Sequence, residues 1–265
     1  MTLTVTLTGT GTSAGVPMIG CQCEVCTSTD PRDHRDRAGA FVRYDDPKGI
    51  ERTILIDTPP ELRNQMIRHE VMRIDGVVYT HNHADHVFGI DDLRRFNAVQ
   101  GEALPLYAET NVIDWLHKTY EYIFQSHRNI NPSFVPTLTT HPIEVGQPFD
   151  LHGMAWHPIR LMHGRLPIVG FRVGRFAYCT DVSKIPPESY PALADLDVLV
   201  IDGLRYKHHP THLTIDQALG VIDELQPRRA YLTHIAHDVK HSELEPKLPE
   251  HVYLGYDGIT LEVGA

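Results

Sequence analysis

Thr80-His81-Asn82-His83-Ala84-Asp85-His86 follows directly on the apolar run Val77-Val78-Tyr79 and sets three imidazoles and a carboxylate within six consecutive positions. Such a run is either a metal site at the end of a strand or a solvated polar turn. Imidazole nitrogen suits zinc, iron and manganese centres, and a carboxylate among the histidines supplies the charge that a second divalent ion needs nearby. With 18 His in 265 residues, grouping this tight favours the metal reading. One short loop can then serve two metals.

Composition is compatible with that reading. A chain of 265 residues, 42% hydrophobic and without a linker-like or low-complexity tract, is expected to form one domain over residues 1–265. No apolar run approaches the roughly 18 residues of a membrane span, and Leu3, Val5 and Leu7 alternate with threonines as in a strand, unlike a signal peptide. The expectation is a cytoplasmic protein without a membrane partner. A formal net charge of −10 argues against a long nucleic-acid partner and against free polyanions as substrates, while leaving room for a local basic patch.

Short β-branched runs recur, and many close on a residue able to hold a metal. Thr53-Ile54-Leu55-Ile56 precedes Asp57, Gly76 to Thr80 precedes His81, and Phe176 to Thr180 precedes Asp181. Val198 to Ile201 leads into Asp202, Ala230 to Thr233 into His234, and Leu161-Met162 into His163. Continuous apolar runs suit strands buried on both faces, and helical spacing lies between them, roughly over 60–73, 90–99 and 215–225. The pattern predicts a layered α/β architecture. An aspartate at a strand end is often only a turn former or helix cap, but the recurrence points to a shared site.

His81-x-His83-x-Asp85-His86, followed in order by His163, Asp181 and His234, resembles the metallo-β-lactamase superfamily. Thr8-Gly9-Thr10-Gly11 and Tyr256-Asp257-Gly258-Ile259 resemble it too, so the likeness spans most of the chain. The resemblance implies an αββα sandwich, two mixed sheets flanked by helices, with the active site at one sheet edge. It also implies that His81, His83 and His163 bind one divalent metal, that Asp85, His86 and His234 bind the other, and that Asp181 bridges them.

Cys21-x-Cys23-x-x-Cys26 places three thiols in one loop, with no second cysteine cluster to complete a four-sulfur site. His237, three residues beyond His234, would complete a Cys3His structural zinc set. This is similar to the PhnP-like phosphodiesterase branch, whose members pair the same cysteine cluster with a histidine after the last metal-binding histidine. A disulfide, a redox pair or an adventitious thiol cluster are the competing readings. Cys179 reads as a buried strand residue.

Two metals about 3.5 to 4 Å apart can share a water, lower its pKa and neutralise a phosphoryl group under attack. The remaining need is a proton for the leaving alkoxide. In His208-His209-Pro210-Thr211-His212-Leu213, His212 matches the branch's catalytic position, while His208 and His209 read as surface residues. With Asp85 and Asp181, it completes the catalytic set that the resemblance implies. The expected function is hydrolysis of small phosphodiesters, such as cyclic phosphates of ribose or nucleotides, with two active-site metals (manganese, zinc or iron) and one structural zinc. The alternatives are a tRNA 3′-end endonuclease and a non-catalytic binding protein of the PqqB kind; thioester or lactam hydrolysis stays open. A homodimer is one expected assembly. The stretch from Tyr107 to Thr140, with Tyr120, Tyr122, Phe124, His127 and Arg128, is expected to shape the pocket, although its aromatics also suit helix packing.

Overall fold

The computed structural model describes residues 2–131 and 133–264. Strands β1 (Thr2–Gly9), β2 (Gly39–Asp45), β3 (Glu51–Ile56), β4 (Gly76–Val78), β5 (Leu104–Ala108) and β6 (Leu138–Pro142) lie side by side in that order. A second sheet holds β7 (Phe149–Leu151), β8 (Met154–His163), β9 (Leu166–Val173), β10 (Phe176–Cys179), β11 (Val198–Asp202), β12 (Arg229–Thr233) and β13 (Val252–Leu254). The last strand, β14 (Thr260–Gly264), returns to the first sheet and pairs with β1.

Both sheets are mixed, and in the same way. Three antiparallel neighbours open each one, β1 to β3 and β7 to β10 forming meanders, and parallel pairs follow, β3 to β6 and β10 to β13. Parallel neighbours need crossover connections, and these supply the helices. On the first sheet they are α1 (Leu62–Arg68), α2 (Ala84–Val87), α3 (Leu93–Gln100), α4 (Thr110–Thr119) and α5 (Glu121–Phe124); on the second, α6 (Ile215–Leu225) and α7 (His241–Leu244). The three expected helical stretches therefore hold α1, α3 and α6.

The continuous apolar strands have the expected cause. In β3, Ile54 and Ile56 enter the core between the sheets while Leu55 packs against Leu62, Leu93 and Leu116 of the outer helices. In β11, Val198 and Val200 face the same central core, whereas Leu199 and Ile201 meet Ile215, Ala218 and Ile222 of α6. Both faces of each strand are thus covered, which makes the αββα sandwich. Thr214 caps α6, its hydroxyl accepting from Gln217 N at 3.2 Å while Gln217 Oε1 accepts from Thr214 N at 2.9 Å.

The two outlying motifs meet. Asp257 accepts hydrogen bonds from Thr10 N (2.9 Å), Thr10 Oγ1 (2.8 Å) and Asp36 N (2.7 Å), tying the turn after β1 to the loop before β14. The glycines there admit close backbone: a Cβ on Gly9 would lie 2.0 Å from the Arg37 carbonyl oxygen, and one on Gly11 2.6 Å from that of Arg35.

Phe171 is fully buried between the sheets, edge-on to Trp156 at 6.0 Å. Phe171→Ala should cost about 3–5 kcal/mol of unfolding free energy, seen as a lower urea midpoint, whereas a loss below about 1 kcal/mol would contradict its central place.

Candidate dinuclear metal site

The ligand candidates sit at or just beyond strand ends. Asp57 follows β3, the His81–His86 run follows β4, His163 ends β8, Asp181 follows β10, Asp202 ends β11 and His234 follows β12. Asp57 (φ 65°), Asp181 (φ 57°) and His234 (φ 58°) hold left-handed backbone, which costs a non-glycine residue about 1–3 kcal/mol. Strain at three facing strand ends marks a place the fold holds for its side chains.

These ends bring together all seven histidines and aspartates expected at the metals. His86 Nε2 lies 3.2 Å from Asp181 Oδ1 and 3.5 Å from Asp85 Oδ2, and His234 Nε2 lies 3.3 Å from Asp181 Oδ2 and 3.6 Å from Asp85 Oδ2. The rings of His81, His83 and His163 form a triangle of 4.6, 5.1 and 5.7 Å, with His81 Nε2 3.9 Å from Asp181 Oδ2. Asp181 therefore lies between the two groups. His83 alone is exposed, on the rim.

Three observations show that this cluster suits metal. Donors bound at about 2.0–2.2 Å in a tetrahedral array stand about 3.3–3.6 Å apart, close to the spacings around Asp181 and Asp85. Next, Nε2 of His81, His86 and His234 is buried without a hydrogen-bond partner. Finally, the opposite ring nitrogens are mostly engaged: His86 Nδ1 with Asp57 Oδ2 at 2.7 Å, His81 Nδ1 with Thr80 Oγ1 at 3.0 Å, and His163 Nδ1 with the Asp181 carbonyl at 2.8 Å. Such contacts fix the tautomer and turn Nε2 toward a ligand. Thr80 also donates to both oxygens of Asp57, through N and Oγ1, each at 2.8 Å.

The charge balance agrees. Burial and the neighbouring His86 push the His81 imidazole well below its usual pKa, so it is neutral. Burial opposes charge on His86 and His234 as well, yet Asp181 and the other nearby carboxylates raise His86 well above the ordinary value and His234 to about 9. The buried carboxylates require cations, which are protons or a metal.

His212 stands beside this cluster, stacked on His234 at 4.7 Å and 4.6 Å from His163. Its Nδ1 is 2.6 Å from Asp202 Oδ2. Burial and then the charge of His234 push this imidazole down to about 4, while burial holds the Asp202 carboxyl well above the carboxylate range. Neutral imidazole with carboxylic acid, or imidazolium with carboxylate, contains the same two protons. In both forms Nε2 carries one.

Asp57 and Asp202 hold histidines of the cluster in contacts that sequence reasoning missed. Each closes an apolar strand as Asp181 does, but their histidine partners lie 29 and 10 residues away. In residues 107–140, α4 and α5 pack outside the first sheet, the helix packing that the aromatics also suited, with Tyr120 Oη donating to the Val87 carbonyl at 3.3 Å and Tyr122 Oη to Asp91 at 2.8 Å. Their aromatics support the Asp85–His86 helix from behind.

The second cluster also assembles. His237 Nδ1 lies 3.3 Å from Cys21 Sγ and 3.4 Å from Cys23 Sγ, and the ligand atoms of Cys21, Cys23, Cys26 and His237 all fall within 4.8 Å of one another. The backbone N–H of Cys26, then His237, lowers the Cys23 thiol to about 6, whereas burial raises Cys26 to about 11. The cysteines are unbridged. Cys179 is buried in β10, as expected.

A family model described as a β-lactamase superfamily domain matches residues 52–235. A crystal structure of a diphosphatase from the PhnP family is 40% identical with a TM-score of 0.90, covering 99% of this chain and 97% of that one. Zinc-bound PqqB from Methylobacterium extorquens, 17% identical with a TM-score of 0.77 over 97% of this chain and 99% of that one, shows the same fold. An octanoyltransferase from Porphyromonas gingivalis (strain ATCC BAA-308 / W83) is 39% identical over 255 residues, which is 96% of this chain and 50% of that protein. The chain thus spans about half the length of that curated relative.

Asp57→Asn removes the anion that orients His86 and should weaken metal binding by about 10- to 100-fold, measured by competition with a chelator. Cys23→Ser should release zinc and lower thermal stability more than a surface substitution does; native cysteines all open to a thiol reagent at no cost in stability would refute this.

Proposed function

The chain belongs to the metallo-β-lactamase superfamily and to its PhnP branch, and from that premise we propose a dinuclear-metal-dependent phosphodiesterase acting on small phosphodiesters, cyclic phosphates of ribose or nucleotides among them. The observation that carries this reading is the buried His212–Asp202 pair, a proton donor set against the Asp85, His86, Asp181 and His234 cluster, with the rings of His81, His83 and His163 beside it. In this reading His81, His83 and His163 hold one divalent metal and Asp85, His86 and His234 the other, with Asp181 shared; manganese, zinc and iron all suit the donors. Cys21, Cys23, Cys26 and His237 hold a structural zinc. When bound, the metal pair supplies a water of lowered pKa and neutralises charge on the phosphoryl group.

The chain's own residues do the rest. Asp57, through His86, and Thr80, through His81, hold the ligand rings in place. Asp202 holds His212 by Nδ1, so that Nε2 on the far edge of the ring gives its proton to the leaving oxygen. The stacked His234 limits the ring to one orientation.

The complete ligand set speaks against a binding protein without catalysis, and the net charge of −10 speaks against a tRNA substrate. Octanoyl transfer belongs by name to a protein twice as long as the matched segment. Acyl transfer through a thiol finds no support at Cys179, whose thiol burial pushes up to about 12.

His212→Ala should retain metal and lower kcat on alkyl or ribosyl esters by about 10² to 10⁴-fold. The loss should shrink on bis(p-nitrophenyl) phosphate, whose leaving group departs without a proton. Equal losses on both substrates would instead make His212 a phosphate-binding or positioning residue.

A further inference from the structure

Helices α1 and α3 lie on the outer face of the first sheet, and between them the surface opens into a cavity of about 950 Å³. None of its lining residues belongs to either ligand cluster. The two helices present matching stripes to it. Arg63, Met66, Ile67 and Glu70 recur at helical spacing along α1 and just past it, as do Asp92, Arg95, Phe96 and Val99 along α3. In both stripes an arginine comes early and apolar side chains follow. The arginine ends lie together: burial and then Asp91 raise the Asp92 carboxyl above its ordinary value, against the pull of Arg94 and Arg63, one from each helix. The cavity therefore has a basic end and an apolar end.

The apolar end is open to solvent. Ile67, Met72 and Val99 are 61%, 70% and 51% exposed, while Met66, Val71 and Phe96 belong to the packed layer beneath. Glu70 is the one polar side chain lining this end, and it is exposed. A ligand lying there finds almost no hydrogen-bond partner among the side chains, so its covered part is hydrocarbon. The flexible thioethers of Met66 and Met72 can follow a bending chain. At the basic end Arg94 pairs with Asp91 at 2.9 Å, Arg63 hydrogen-bonds the neighbouring Asn64 at 3.1 Å, and Arg95 has no ion-pair partner among the described residues. Two guanidinium groups thus face the single carboxylate of Asp92, in a chain whose formal net charge is −10.

We propose that this cavity binds an unbranched fatty carboxylate, with its head group on Arg63 and Arg95 and its chain along Met66, Met72, Phe96 and Val99. Arginine forks suit a carboxylate, and the volume is that of a small-molecule site. Nothing in this site depends on the phosphodiesterase reading. A second copy of the chain or a partner's amphipathic helix would cover the same side chains, and the experiment separates these occupants.

The metal-loaded protein is titrated calorimetrically with hexanoate, octanoate, decanoate and dodecanoate, and with octan-1-ol and dodecyltrimethylammonium as head-group controls. Kd should tighten about 4-fold per added methylene, and the ammonium should bind at least about 10-fold more weakly than dodecanoate. Met72→Glu with Val99→Glu alters two exposed positions, so the thermal midpoint should hold while dodecanoate binding disappears. Arg63→Gln with Arg95→Gln should weaken octanoate by about 10-fold or more and leave octan-1-ol unchanged. Affinity that ignores chain length would overturn the site. So would equal dodecanoate binding by wild type and the Met72→Glu, Val99→Glu variant, which would put the carboxylate on the metals instead. A dimer seen by sedimentation and broken by that variant, with no dodecanoate bound by the wild type, would overturn it in favour of a second copy.

Discussion

Buried negative charge is the constraint on which the rest of this molecule depends. Asp57, Asp181 and Asp202 are all but inaccessible to solvent and lie at the ends of strands β3, β10 and β11. Taking an ionised carboxylate out of water costs several kcal/mol unless a partner compensates it. Each aspartate has a histidine for this purpose: His86 on Asp57, His212 on Asp202, and His81, His86 and His234 around Asp181. The strand ends are thus joined by charge as much as by backbone pairing, and cations that neutralise them are coupled to folding.

The loop after β12 shows how this constraint reaches outward. His234 faces the histidine and aspartate cluster, and His237, in the same loop, reaches the cysteines of the N-terminal segment. Between and beyond them, the fully buried Arg35 guanidinium donates to the carbonyls of Ala236 (3.3 Å) and Val239 (2.9 Å) while pairing with Asp33 at 3.1 Å. Ile235 N also donates to the Thr10 carbonyl at 2.8 Å. One short loop therefore takes its shape from the thiol cluster, a buried arginine and the first strand together. Disturbing the thiol cluster will be felt at His234, because the segment between them has little freedom to absorb a shift.

Catalysis in the proposed reading divides between the two sides of the cluster. The His81–His86 run and Asp57 come from the first sheet and keep their ring nitrogens oriented through Thr80 and Asp57. The second sheet supplies His163, Asp181 and His234 together with the proton-bearing pair, His212 and Asp202. The cluster is therefore complete only where the ends of the two sheets meet.

The layered α/β class, the strands covered on both faces and the strand-end positions of His81, His163, Asp181 and His234 were all legible in the sequence. Their signals are local: an apolar run of a few residues, then a turn bearing a polar side chain. The αββα arrangement and the grouping of the seven candidates came from resemblance, and the sandwich supports both. The pairing of Asp57 with His86 and of Asp202 with His212 was beyond periodicity, because it joins side chains from separate segments and depends on where turns point them. The aromatics of residues 107–140 could equally have lined a pocket or packed a helix, and composition does not separate the two. On the outer face of the first sheet Trp115, Tyr120 and Phe124 are half-buried against the helices, while Tyr122 stays exposed. Local order is written in neighbouring residues, whereas a site assembled from strand ends exists only once the two sheets have closed on each other.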